Sequence, residues 1–164
     1  MAAFTQHIPL PTSVEMVEVL AAWGALCFAK DLGFNKLIME GDSEIIIKAL
    51  SSNGLSASSF GHIVQDIKMV SSSLGSVLFN HTRRQGNRVA HGLARLACNF
   101  VNFQSWMEDV PPGVKVLYAS EVIQWFPPSF YEGGFSKKKK KKKNCLICLN
   151  GKLLINCYIM YRKV

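Results

Sequence analysis

Apolar residues recur at helical spacing from Val14 to Leu32, with Val14, Val17, Leu20, Ala21, Ala25, Phe28, Ala29 and Leu32 near one face. Thr12-Ser13 is a helix-start signal and Gly33 a C-terminal stop. Leu37 to Met39 is a short run of strand type. Gly41 breaks it, Asp42 and Ser43 are both good N-cap residues, and a second apolar-periodic segment follows, ending near Ser51-Ser52-Asn53-Gly54. Ile63, Ile67, Val70 and Leu74 predict a helix from about Phe60 to Ser73, closed by Gly75. Ser76 to His81 reads as a strand buried on at least one face. Arg83 to Asn87 is a polar turn, and Val89, Leu93, Leu96, Ala97 and Phe100 align on a last helix. Ala2 to Ile8 is open to two readings, the end of a strand or a frayed terminus.

The order helix–strand–helix–helix–strand–helix argues for an α/β layer with at least partly parallel strands. Two strands do not make a stable sheet alone, so further segments are expected to supply more of it. From Trp106 an irregular extension with aromatic anchors is expected, running through 113–136. The organised unit is accordingly placed at 1–112.

Composition changes this picture mainly at the C-terminus. The 164 residues are one domain's worth, and the formal net charge is +8. Ten of the nineteen basic residues fall in 137–164, which holds no acid: Lys137 to Lys143, Lys152, Arg162 and Lys163. Residues 1–136 therefore carry nine basic against eleven acidic side chains, a net of −2. The body is mildly acidic, and the pI belongs to the tail. Seven consecutive lysines followed by an Ile/Leu/Tyr/Asn-rich end resemble translated A/T-rich non-coding sequence, so 137–164 is expected to be a read-through or gene-model artefact. If genuine, the lysine run offers a nuclear-import or non-specific nucleic-acid patch.

Five scattered cysteines do not form a secreted disulfide framework. Cys27 and Cys98 fall in helical patterns and are expected to be buried thiols. Cys145-x-x-Cys148 lacks a second ligand pair for zinc. With no signal peptide and no membrane-length apolar run, an intracellular protein without a membrane span is expected.

Three acid or imidazole positions line up across this scheme. Glu18 lies in Glu18-x-x-Ala21-Ala22 on the first helix, Asp42 ends the Glu40-Gly41-Asp42-Ser43 strand, and His91 follows Asn87-x-Val89-Ala90 on the last helix. Locally, the simplest reading is that Asp42 or Ser43 caps a helix, Asn87 is an N-cap and Glu15 a solvated first-turn acid. Together with Leu32-Gly33-Phe34, His81-x-x-Arg84-x-Gly86-Asn87, Leu93-Ala94 and Trp106-x-Glu108-Asp109-x-Pro111-Pro112, the order and spacing resemble the ribonuclease H-like superfamily. The likeness is to its plant-type, reverse-transcriptase-like branch, over about Ala3 to Pro112.

That resemblance implies a five-stranded mixed sheet flanked by helices. It also implies a site where four carboxylates hold two divalent ions, Mg²⁺ or Mn²⁺, for hydrolysis of the RNA strand of an RNA–DNA hybrid. Glu18 matches the helix carboxylate and Asp42 the second strand's aspartate, so these two are the implied metal ligands. His91 stands at the fourth carboxylate position, and imidazole favours softer ions than Mg²⁺. The family's first strands, with the leading aspartate, are expected to precede Ala2 and are not in this chain. With two of four ligands present, hydrolysis is expected to be weakened or lost. The alternatives are a degenerate nucleic-acid-binding or interaction module, or a truncated fragment. His81, Arg83, Arg84 and Asn87 are the candidate nucleic-acid contacts, an ordinary polar loop being the equal alternative for His81 and the two arginines.

Overall fold

Strand β1 (Ala2–His7) is an interior element, not a frayed end. Its first four residues are all buried, and they divide by the period of a strand. Ala2 and Phe4 join the larger core with Val19, Leu26, Val64 and Ile67, whereas Ala3 joins a second cluster with Val89, Leu93, Val110 and Val114. The same strand therefore separates two helical layers. These relations come from a computed structural model, which describes residues 2–9, 11–54, 57–107, 110–125, 148–149, 152–153 and 159–160.

Helix α1 (Val14–Asp31) starts where the sequence signal stands: the Ser13 hydroxyl accepts from the Met16 amide at 3.2 Å. It ends at Gly33, whose φ of 80° is a left-handed conformation that favours glycine. Strand β2 (Lys36–Gly41) buries Leu37 and Met39 and leads into α2 (Glu44–Ser51). Helix α3 (Gly61–Ser72) is followed by β3 (Ser76–His81), which runs parallel to β2 from Lys36↔Ser76 to Gly41↔His81. Strand β3 has no fully buried face. Val77 and Phe79 are half-buried against the larger core, and Leu78, on the opposite face of the strand, is exposed.

Helix α4 (Arg88–Ala97) and β4 (Gln104–Met107) complete the body, with β4 antiparallel to β1. The short strands β5 (Cys148–Leu149), β6 (Lys152–Leu153) and β7 (Ile159–Met160) add further pairings. The strand orders are β4-β1-β7 and β3-β2-β6-β5, each mixing parallel and antiparallel neighbours. The α/β class and the mixed, helix-flanked sheets are as expected. Among the described residues the strands form two sheets, with β7 beside β1 and β6 beside β2. Most of 137–164, including the lysine run and Cys145, lies outside the described residues.

Two further expectations are corrected. Where an irregular extension was expected, α5 (Pro112–Trp125) is a helix. Pro112 suits the first helical position, and Val114, Leu117 and Tyr118 recur at helical spacing against the second cluster. Residues 126–136 lie outside the described residues. Cys98 is exposed and Cys27 half-buried, so neither is a fully buried thiol. Cys98 sits just past the last residue of α4, where the helix no longer holds it inward.

Helices α4 and α5 approach closely at Gly92. A Cβ there would lie 2.5 Å from Val114 Cγ1 and 3.0 Å from Leu117 Cδ1. Val114 is fully buried and β-branched, so it cannot turn aside easily. Gly92→Ala is expected to destabilise by about 1–2 kcal/mol, overpacking of about 1–3 kcal/mol being partly offset by alanine's helix propensity. Urea unfolding measures it. Gly92→Ala/Val114→Ala, compared with Val114→Ala alone, should show no such penalty.

Candidate functional site

Asp42 emerges at the carboxyl end of β2, one residue beyond the Gly41↔His81 pairing. The Thr82 amide donates to the Gly41 carbonyl at 2.9 Å, which ties the end of β2 to the loop after β3. Ser43 is the N-cap residue of α2 but makes no side-chain cap bond, and Asp42 is engaged elsewhere. The capping reading of this junction therefore does not describe Asp42.

Asn87 and His91 lie one helical turn apart, joined by the His91 amide donating to the Asn87 carbonyl at 3.2 Å. That spacing puts both side chains on one face of the helix start, where they grip the two oxygens of Asp42. Asn87 Nδ2 donates to Oδ1 at 2.9 Å. His91 Nε2 lies 3.3 Å from Oδ2. Asp42 and His91 are 13% and 18% exposed at the side chain, so the pair is mostly shielded from water. Asn87 is 1% exposed. Its position is that of an N-cap, as read from the sequence, but its side chain makes no cap bond and instead holds Asp42. At that depth it is a support behind the site and not a surface contact for nucleic acid.

Glu18, on α1, is coupled to this cluster. Its carboxyl is pushed up to about 7, first by burial and then by the negative charge of Asp42, with the Arg84 guanidinium opposing both. Its charged form is therefore disfavoured near neutral pH. Burial holds His91 below the usual imidazole range, with Asp42 pulling the other way. A largely neutral imidazole beside an aspartate carboxylate is the resting arrangement.

Of the residues singled out in the sequence, Glu18, Asp42, Arg84, Asn87 and His91 are thus brought together. His81 and Arg83 are exposed at the end of β3 and in the following loop. The sequence reading passed over Glu40, which is buried and lines, with Glu18, a cavity of about 30 Å³ between α1, β2 and α2. It also passed over Arg88 and Arg95, which share a cleft with Arg84 and His91. Their spacing of seven on one helix was the available signal.

Two divalent ions require a set of ionised oxygen ligands. Among the described residues no group of three or more His, Cys, Asp or Glu side chains is arranged to hold a metal. Both Asp42 oxygens face protein groups, Asn87 on one and His91 on the other. This donor set does not fit a two-ion centre, and no step through such a centre follows from it. What the arrangement does is fix the start of α4 against the end of β2 and store unfavourable charge between Glu18 and Asp42.

The sequence model of a family described as reverse transcriptase-like matches residues 1–97. The match runs from β1 to the end of α4 and includes every residue of the cluster around Asp42. No curated protein and no solved structure matches the chain.

Proposed function

This chain belongs to the reverse transcriptase-like family, of ribonuclease H-like type, and on that premise we propose that it binds RNA–DNA hybrid with hydrolysis weak or lost. Ribonuclease H-like domains bind nucleic acid, and among the described residues no helix is long and apolar enough to cross a membrane. The observation that carries the reading is the grip of Asn87 and His91 on Asp42. It holds Asp42 as a structural anchor and occupies both of its carboxylate oxygens. Recognition of a hybrid would then draw on groove shape, 2′-hydroxyls and phosphates, which need no cleavage chemistry.

A residual, metal-assisted activity is the second reading, favoured by the mutual repulsion of Glu18 and Asp42. A divalent cation would relieve that repulsion, and these two residues would hold it; Mg²⁺ or Mn²⁺ suits their oxygens. One experiment separates the readings. Full-length protein is incubated with a labelled hybrid in Mg²⁺ or Mn²⁺, with a Glu18→Ala/Asp42→Ala control. Binding with no cleavage above that control supports the first reading. Cleavage abolished in the control replaces it with the second. Absence of binding to hybrid overturns both.

A further inference from the structure

The geometry points to an anion-binding cleft between α4 and α5 that takes backbone phosphates of a nucleic-acid strand, with Arg88 and Arg95 as its principal contacts. The cleft has a volume of about 490 Å³ and is lined by Arg84, Arg88, His91, Gly92, Arg95 and Leu117, together with one alanine. Positions 88, 91, 92 and 95 are successive members of one helical stripe, so their side chains share a face of α4. The opposite face, with Val89, Ala90, Leu93 and Ala97, is buried. Amphipathicity alone thus sends both arginines outward, and Arg84 joins them from the turn before the helix.

Helix α5 supplies the other wall. Its close approach at Gly92 brings Leu117 to the cleft and leaves no room there for a larger residue at position 92. The lining contains three guanidinium groups and no carboxylate. A planar guanidinium donates two parallel hydrogen bonds to phosphate oxygens, which makes three around one cleft a phosphate-reading surface. This concentration stands against a body, residues 1–136, whose net charge is −2. His91 belongs both to the cleft and to the pair with Asp42, so a strand tracking the arginines arrives at the carboxylate cluster.

The inference rests on the proposed function for the identity of the ligand, a hybrid; the phosphate chemistry comes from the cleft itself. It is tested on the full chain by fluorescence anisotropy with a labelled hybrid over a series of salt concentrations. The Arg88→Ala/Arg95→Ala double variant is compared with wild type and with Arg88→Lys/Arg95→Lys. The lysine run contributes the same background to all three. Loss of two phosphate contacts should weaken binding at least about tenfold and lower the slope of log K against log salt by about 2. The lysine variant should keep most of that slope, and all three proteins should unfold at the same temperature.

Equal affinity and slope in the alanine variant would overturn the cleft while leaving hybrid binding intact. A second probe, inorganic pyrophosphate followed through the arginine Nε–H signals by NMR, covers the converse. Shifts at Arg88 and Arg95 without any hybrid binding would support the anion site and sink the hybrid reading. Neither shifts nor hybrid binding would overturn both.

Discussion

Glu18→Gln is expected to stabilise the folded protein by about 2–3 kcal/mol at pH 8 and to leave it nearly unchanged at pH 4. The folded-state carboxyl titrates at about 7 against an ordinary value of 4.5, because burial and Asp42 both disfavour its charge. The folded state therefore holds this proton more tightly than the unfolded chain does. Its contribution to stability is fully present below about pH 4.5 and is lost as pH rises through about 7. A shift of that size corresponds to at most about 3 kcal/mol at 1.36 kcal/mol per unit. Glutamine keeps the shape and cannot ionise, so the loss should vanish. Urea unfolding of both proteins at pH 4, 6 and 8 measures it. A difference between them that does not grow with pH would show that Glu18 ionises freely in the folded state. Stabilisation by removing this acid would mark a charge that costs the folded state stability.

His91→Asp is the second large effect, and it acts in the opposite direction. His91 Nε2 now lies 3.3 Å from Asp42 Oδ2. A carboxylate placed there would meet Asp42 with like charge in a mostly shielded site. Loss of the favourable contact and gain of the repulsion should destabilise by about 2–4 kcal/mol near neutral pH. The same change restores the acid that the family resemblance expects on this helix and creates a cluster of three carboxylates with Glu18 and Asp42. Divalent cations should then recover much of the loss, about 2.7 kcal/mol at a concentration 100 times the dissociation constant. Thermal unfolding with and without Mn²⁺ reads this directly. The wild type should respond little. If the variant is neither destabilised nor responsive to the cation, position 91 does not share a site with Asp42 and Glu18.

These two effects bear on how the molecule is organised around Asp42. Asp42 couples by charge to Glu18 of α1 and is held by Asn87 and His91 at the start of α4, while Arg84 acts on Glu18 and His91. Asn87 shows how local reading and tertiary outcome diverge. Before an apolar helix, an asparagine is most simply an N-cap, and it does occupy that position. Its amide finds a charged acceptor 45 residues earlier in the chain and bonds to that instead. The Asn87 Oδ1 atom is buried without a partner among the described residues, which fits a side chain oriented by the stronger bond to Asp42.

Helix α5 illustrates a different limit. Its apolar residues Val114, Leu117 and Tyr118 follow a helical period, yet the segment also exposes Val116, so no clear amphipathic contrast marks it. It becomes a recognisable element only when Gly92 and the second cluster present a surface for it. Most helical stability comes from such packing, and sequence propensity alone is a weak guide to it.

What the sequence by itself determined is what neighbours along the chain can encode. The apolar stripe of α1, its Ser13 cap and the Gly33 stop were legible because each depends on spacing of a few residues. So were the limits of β3, a helix starting near Val89, which the pattern carried on to Phe100 but which ends at Ala97, and the confinement of excess positive charge to the last 28 residues. The order of Glu18, Asp42, Asn87 and His91 pointed to the family that the comparison then supplied. Only the tertiary structure decided what those residues do to one another. The protonation of Glu18, the closed grip on Asp42 and the gathering of Arg84, Arg88 and Arg95 depend on burial and on distances between segments. Local periodicity carries no record of either, since burial and charge coupling arise only when strands and helices far apart in the chain pack together.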